Sequence, residues 1–108
     1  MLYELRIYHA MPGRMPDLHK RFENDVLPMW KERDIRAVGF WTVVVGPSSQ
    51  ALYYLLEWKD MAERERKFNA FRSDPEWIRK REQSERNGPL VHHNESMFLQ
   101  PTSYSKLQ

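Results

Sequence analysis

The 108 residues predict an α+β domain, a ferredoxin-like four-stranded antiparallel sheet with helices on one face, pairing with a second copy as a dimeric α+β barrel. Three observations lead there. The hydrophobic period changes along the chain in the order strand, helix, strand, strand, helix, strand. Turns rich in proline and glycine punctuate those changes. The second and third strands are apolar on both faces, so one layer of helices leaves half of that surface uncovered. Residues 1–101 form a single domain and 102–108 a polar tail. With 41% hydrophobic, 13% aromatic and 30% charged residues, the composition is that of a folded domain with a solvated exterior.

LYELRIYHA (2–10) alternates as a strand and is stopped by the turn MPGRMP. From Pro16 to about Arg33 the apolar residues Leu18, Phe22, Val26 and Met29 step by four, four and three, the stripe of an amphipathic helix. Pro28 has no amide proton and crowds the carbonyl four residues back, so the last turn, with Met29 and Trp30, is expected to bend or reset. A strand over about 36–45 and a third, ALYYLLEWK (51–59), are joined by GPSSQ as an antiparallel hairpin. Asp60 can cap the next helix, with Glu63 reaching back as in a capping box. Phe68 and Phe71 share a face of that helix. SDPEW restarts it, with Ser73 or Asp74 as cap and Pro75 at the first helical position. VHHNESMFL (91–99) is the last strand, closed by Pro101.

In VGFWTVVVG (38–46), Val38, Phe40, Thr42 and Val44 point to one side and Gly39, Trp41, Val43 and Val45 to the other. Leu52, Tyr54, Leu56 and Trp58 occupy one face of the third strand, Tyr53 and Leu55 the other. The simplest cover for the second face is the same face of another copy, because two-fold pairing of identical surfaces is the commonest oligomeric arrangement. The expected partner is therefore self, in a homodimer.

Other classes find little support. There is no cysteine, which excludes a disulfide framework, thiolate metal sites and a cysteine nucleophile and suits a reducing compartment. No export signal opens the chain, and no apolar run approaches the ~20 residues of a membrane span. A cytoplasmic protein without membrane partners is expected. The 17 Lys and Arg exceed the 15 Asp and Glu by so little, net +2, that nucleic acid gains no support. VGFWTVVV lacks the leading basic residue and the spaced aromatics of an RNA-recognition strand. No phosphate loop, serine-nucleophile motif or dinucleotide fingerprint appears, and no cofactor is expected.

Two constellations carry the candidate chemistry. Arg6, Glu57 and Glu95 lie near the middle of strands one, three and four, and strand one is flanked by the other two. They are read as a charge cluster that fixes register inside the barrel, one arginine serving two carboxylates. The alternative is recognition of an anionic or carbonyl substrate by Arg6. His9 shares a face with Tyr3, Leu5 and Ile7, which is assigned to the helix side as the more apolar face of strand one. Pairing Glu95 with Arg6 then puts His92 and Asn94 on that side too. A pocket between sheet and helices would be lined by His9, Tyr54, Trp58, His92 and Asn94, aromatic walls with a few polar groups. His92 and His93 point to opposite faces, so they cannot easily serve one metal, and no metal site is expected. The four tryptophans are read first as core and interface anchors.

YELRIY, the MPG turn, VGFW, DMAERERKFNAFRSDPEW and ESMFLQP, in that order and over nearly the whole chain, resemble the NIPSNAP family. The resemblance implies a dimeric α+β barrel. Proteins on that scaffold include oxygenases, haem-degrading and chlorite-degrading enzymes, isomerases and proteins without known reaction, so the fold does not select a chemistry. Eukaryotic relatives are mitochondrial and tied to vesicle traffic and organelle quality control. Their N-terminal extension has no counterpart here, and that role is not carried over. The expected function is the binding of a small apolar or aromatic organic molecule between sheet and helices, with a cofactor-independent oxygenation or isomerisation as its catalytic form. In that form His9 or His92 is the base, and Trp41 or Tyr54 positions the ligand. The alternative is a non-catalytic dimeric binding or assembly module.

Overall fold

A computed structural model describes all 108 residues. Its elements are β1 (Leu2–Ala10), α1 (Met15–Arg21), a π-helical turn (Phe22–Val26), α2 (Leu27–Glu32), β2 (Arg36–Thr42), β3 (Ala51–Trp58), α3 (Met61–Arg72), α4 (Pro75–Ser84) and β4 (Val91–Leu99). The four strands form one antiparallel sheet in the order β2-β3-β1-β4, as the ferredoxin-like arrangement requires. Gly13 turns the chain out of β1 with a φ of 77°, a conformation in which a β-carbon is strained.

The proline in the first long helix acts one turn earlier than expected. Pro28 sits in the first turn of α2, where its missing donor costs little. The turn before it widens to the π form, with the Leu27 amide donating to the Phe22 carbonyl five residues back. This insertion absorbs the proline without breaking the helix. Leu18, Phe22, Val26 and Met29 remain buried on one stripe.

Both expected caps form. The Asp60 carboxylate accepts from the Glu63 amide at 2.9 Å. Glu63 reaches back one residue further than in a simple capping box, to the amide of Lys59 at 2.9 Å. Asp74 accepts from the Glu76 amide at 2.8 Å, with Pro75 opening α4.

All the helices cover one face of the sheet. Leu52, Tyr54, Leu56 and Trp58 of β3 point into the core with Leu18, Phe22, Val26, Trp30, Phe68 and Phe71. Phe40 pairs with Tyr54 and Trp41 with Tyr53, so Phe40 turns inward while Trp41 lies on the uncovered face, 52% exposed. A β-carbon on Gly39 would come within 2.9 Å of the Trp41 ring, so the indole lies back across that glycine. The strand ends at Thr42 rather than Val45. Val44 and Val45 stand in the connection to β3, each 94% exposed.

β1 faces the opposite way from the sequence expectation. Leu2, Glu4, Arg6 and Tyr8 pair with Trp58, Leu56, Tyr54 and Leu52, and all four point to the helices. Tyr3, Leu5, Ile7 and His9 take the face the helices leave open, where Tyr3 and Ile7 are nonetheless buried and the Tyr3 hydroxyl donates to the Gln108 carbonyl of the C-terminal tail at 3.0 Å. Apolarity misled because Glu4 and Arg6 neutralise each other, which lets the more polar face be buried. In β4, Ser96 rather than Glu95 pairs with Arg6. Asn94 and Ser96 therefore do lie on the helix side, through two errors of face and register that cancel. A bulge leaves His92 unpaired, because His93 pairs with His9 and Val91 with Ala10.

Candidate functional site

The expected cluster of Arg6, Glu57 and Glu95 does not form. Arg6 lies on the helix side and the two carboxylates on the other. Glu57 takes Arg36 at 3.3 Å, and Glu95 takes His9 Nε2 at 2.6 Å. The buried carboxylate that sequence reasoning missed is Glu4, 0% exposed in the middle of the helix-covered face.

Five donors converge on it. Glu4 Oε1 accepts from Trp58 Nε1 at 3.1 Å and Arg64 Nε at 3.2 Å. Oε2 accepts from Ser96 Oγ at 2.8 Å, Arg6 Nη1 at 2.9 Å and Arg64 Nη2 at 3.2 Å. Burial alone would raise the carboxyl pKa, but the bonds from Arg64, Ser96 and Arg6 outweigh it and hold the group below its ordinary value. Arg6 extends the network, donating from Nε to the Tyr54 hydroxyl at 2.8 Å and from Nη2 to the Tyr8 hydroxyl at 3.2 Å. Burial, then Tyr8, push the Tyr54 hydroxyl well above the usual tyrosine range. Burial would lower the Arg6 pKa, but Tyr54, Tyr8 and Glu4 raise it, so the guanidinium stays charged. A signal was present in the sequence: opposite charges two residues apart on a central strand share a face and can enter a core together.

Beside this network a cavity of about 320 Å³ opens between sheet and helices. Its aromatic walls are Tyr8, Phe22, Trp30, Phe68, Phe71 and Trp77, and Asn94 lines it from β4. Four arginines also line it, Arg6, Arg21, Arg72 and Arg81, against the single carboxylate of Glu85. The π-helical turn contributes directly: Phe22 and Val26 belong to it and Arg21 immediately precedes it.

Two of these lining residues hold buried N–H groups without a partner, Arg21 at Nε and Trp30 at Nε1. A buried donor left unbonded costs about 1–3 kcal/mol. The rest of the Arg21 guanidinium makes long contacts from Nη1 to Ser84 Oγ at 3.3 Å and Glu85 Oε1 at 3.4 Å, and lies over the Trp77 ring at 5.7 Å. Arg21 was legible as three residues beyond Leu18, on the flank of the buried stripe. The free indole N–H was not, because it depends on packing.

Of the residues expected to form the pocket, Asn94 lines it. Tyr54 and Trp58 lie in the adjoining core, both 0% exposed, with their polar atoms bonded to Arg6 and Glu4. The two residues expected as bases are elsewhere. His9 is on the uncovered face, stacked on His93 with ring centroids 4.2 Å apart. His92 is exposed at the bulge, its Nδ1 2.6 Å from that of His93. Neither lines the cavity, a consequence of the reversed face of β1 and of the bulge. Trp41 lines a separate groove of about 380 Å³ on the uncovered face, with Leu5, Tyr53, Val44 and Val45. Trp30 and Trp77 are core residues that also form cavity wall. The structure holds no group of three side chains placed to bind a metal ion.

Known proteins agree with this architecture. An uncharacterised NIPSNAP domain protein from Burkholderia xenovorans superposes with a TM-score of 0.83 at 24% identity, covering 97% of this chain and 98% of its own. A protein from Agrobacterium tumefaciens superposes with a TM-score of 0.87 at 22% identity over 100% of both chains. More distantly, a mutant MhuD described with two manganese protoporphyrin IX bound per active site gives 0.60 at 13% identity over 94% of each chain. These likenesses show the fold. No curated protein matches the sequence. The NIPSNAP family profile matches residues 3–106, and the chain belongs to the NIPSNAP family.

Proposed function

We propose that this protein binds a small organic molecule with a flat aromatic or apolar body in the cavity between sheet and helices. The observation that carries the reading is the cavity itself: six aromatic side chains form its walls and two buried donors at its lining are unbonded. Pockets that hold small ligands have this make-up, apolar walls with a few placed polar groups, and begin at about 300 Å³. The porphyrin described in the distant MhuD structure supports the fold's capacity for planar ligands. In a catalytic form of the reading, an isomerisation or cofactor-independent oxygenation, Glu85 and Tyr8 are the lining groups that can exchange a proton, and the bases expected from sequence, His9 and His92, have no access from where they stand. The alternative, a non-catalytic dimeric binding or assembly module, needs no ligand in this cavity and is favoured if its aromatic side chains close it.

The homodimer belongs to this proposal. Trp41, Met97 and Leu99 are all more than 40% exposed on the uncovered sheet face, beside the apolar groove that Val44 and Val45 border. The same face of a second copy is complementary in chemistry and closes the barrel. The absence of cysteine is compatible with the cytoplasm, and no helix is long and apolar enough to cross a membrane.

Native mass spectrometry of gently purified protein tests both parts. The expected species has twice the 13.1 kDa chain mass and retains one organic molecule per chain. A monomer at micromolar concentration would overturn the barrel. A chain that takes up no member of a panel of aromatic compounds would overturn the cavity as a binding site.

A further inference from the structure

Resting on that reading, we infer that the ligand is an aromatic carboxylic acid whose carboxylate is received by Arg21 and the Trp30 indole N–H. The charge around the cavity points to an anion. Glu4 is held by Arg6 and Arg64, and Glu85 lies against Arg21. Arg72 and Arg81 are thereby left with no carboxylate of their own at the rim. Arg72 packs its guanidinium over Phe68 at 5.8 Å. Two uncompensated cations beside an aromatic chamber attract a negatively charged ligand and raise its rate of capture.

The donors select the kind of anion. Arg21 is 6% exposed and Trp30 2% exposed, and each brings one unbonded N–H. A carboxylate offers an acceptor to each of these N–H groups, and a charge-assisted bond from a guanidinium is stronger than a neutral one. A phosphate carries more oxygens and more charge than this pair alone can satisfy. The Arg6 guanidinium, bonded to Glu4, Tyr54 and Tyr8, serves as the fixed positive floor of the chamber.

Calorimetric titration of the 108-residue chain with naphthalene-2-carboxylate, naphthalene-2-methanol and inorganic phosphate tests this. The acid should bind at least about tenfold more tightly than the alcohol, the contribution expected of a charged hydrogen bond. Phosphate should not compete. Arg21→Gln should bring the acid to the level of the alcohol. Because that side chain is buried and its loss can disturb folding, the exposed double change Arg72→Gln with Arg81→Gln provides a second arm. It should weaken the acid by up to about fivefold, as expected for exposed charge pairs, and leave the alcohol unaffected. An alcohol that binds as tightly as the acid overturns the carboxylate assignment while leaving the cavity reading in place. Failure of both compounds to bind overturns both. Phosphate competing at the acid's own affinity would identify a general oxyanion site instead and also overturn the assignment.

Discussion

The two faces of the sheet solve opposite problems with similar residue types. On the helix side a carboxylate and a guanidinium are buried, and Glu4 survives at 0% exposure because five donors surround it. On the uncovered side a carboxylate and a histidine, Glu95 and His9, meet at 2.6 Å in partial contact with water, their side chains 52% and 25% exposed. The first pair is held by geometry and has little freedom to rearrange. The second is screened by solvent. What separates them is the number of partners per charge, since desolvation must be offset by bonds wherever water is excluded.

The largest effect should come from breaking the buried network. Glu4→Gln keeps the shape but leaves Arg6 and Arg64 without their counter-charge, and should cost about 3 kcal/mol in urea unfolding. Acid gives the same result in the native chain. The Glu4 pKa is lowered by folding from an ordinary value of 4.5, so its contribution is complete above about pH 4.5. It is lost as pH falls through the lower folded value. The pH dependence of stability below 4.5 should therefore be shallower in Glu4→Gln than in the wild type. Equal slopes would show that Glu4 is not the titrating group.

Trp41→Glu addresses the other face. It replaces an exposed apolar residue by a charge, so light scattering should show the proposed dimer dissociating at micromolar concentration. Urea unfolding extrapolated to the isolated chain should change by less than about 1 kcal/mol, as for other surface substitutions. The smallest effect belongs to Glu95→Gln, which removes an exposed ion pair and should cost no more than about 1 kcal/mol, less at high salt. If Glu95→Gln destabilised the chain as much as Glu4→Gln, the contrast between the faces would be lost.

Much of the architecture was legible in the sequence. The element order follows from changes in hydrophobic period, and the caps at Asp60 and Asp74 from local chemistry. The core stripe Leu18, Phe22, Val26 and Met29 follows from its spacing. β1 resisted because its two faces differ less in apolarity than in how their polar groups can be satisfied. That depends on Trp58, Arg64 and Ser96, which are 54, 60 and 92 residues away from Glu4. The bulge in β4 resisted too, since it shifts register at His92 with no glycine or proline beside it, whereas the shift in β2 falls at Val38, next to Gly39. The idea of a site between sheet and helices came from fold order and composition. Of the polar residues expected there only Asn94 lines the cavity, because a one-residue change of face in β1 removes His9 and admits Arg6 and Tyr8.

The four tryptophans allow one spectrum to decide where a ligand sits. In a ¹⁵N-labelled sample each indole N–H gives its own signal: Trp58 bonded to Glu4, Trp41 on the uncovered face, Trp77 in the cavity wall and Trp30 buried and unbonded. On titration with naphthalene-2-carboxylate, the Trp30 signal should move downfield as its N–H gains an acceptor, while those of Trp58 and Trp41 stay in place. A shift of Trp41 with Trp30 unmoved would place the ligand on the other side of the sheet and contradict the site described for the helix-covered face.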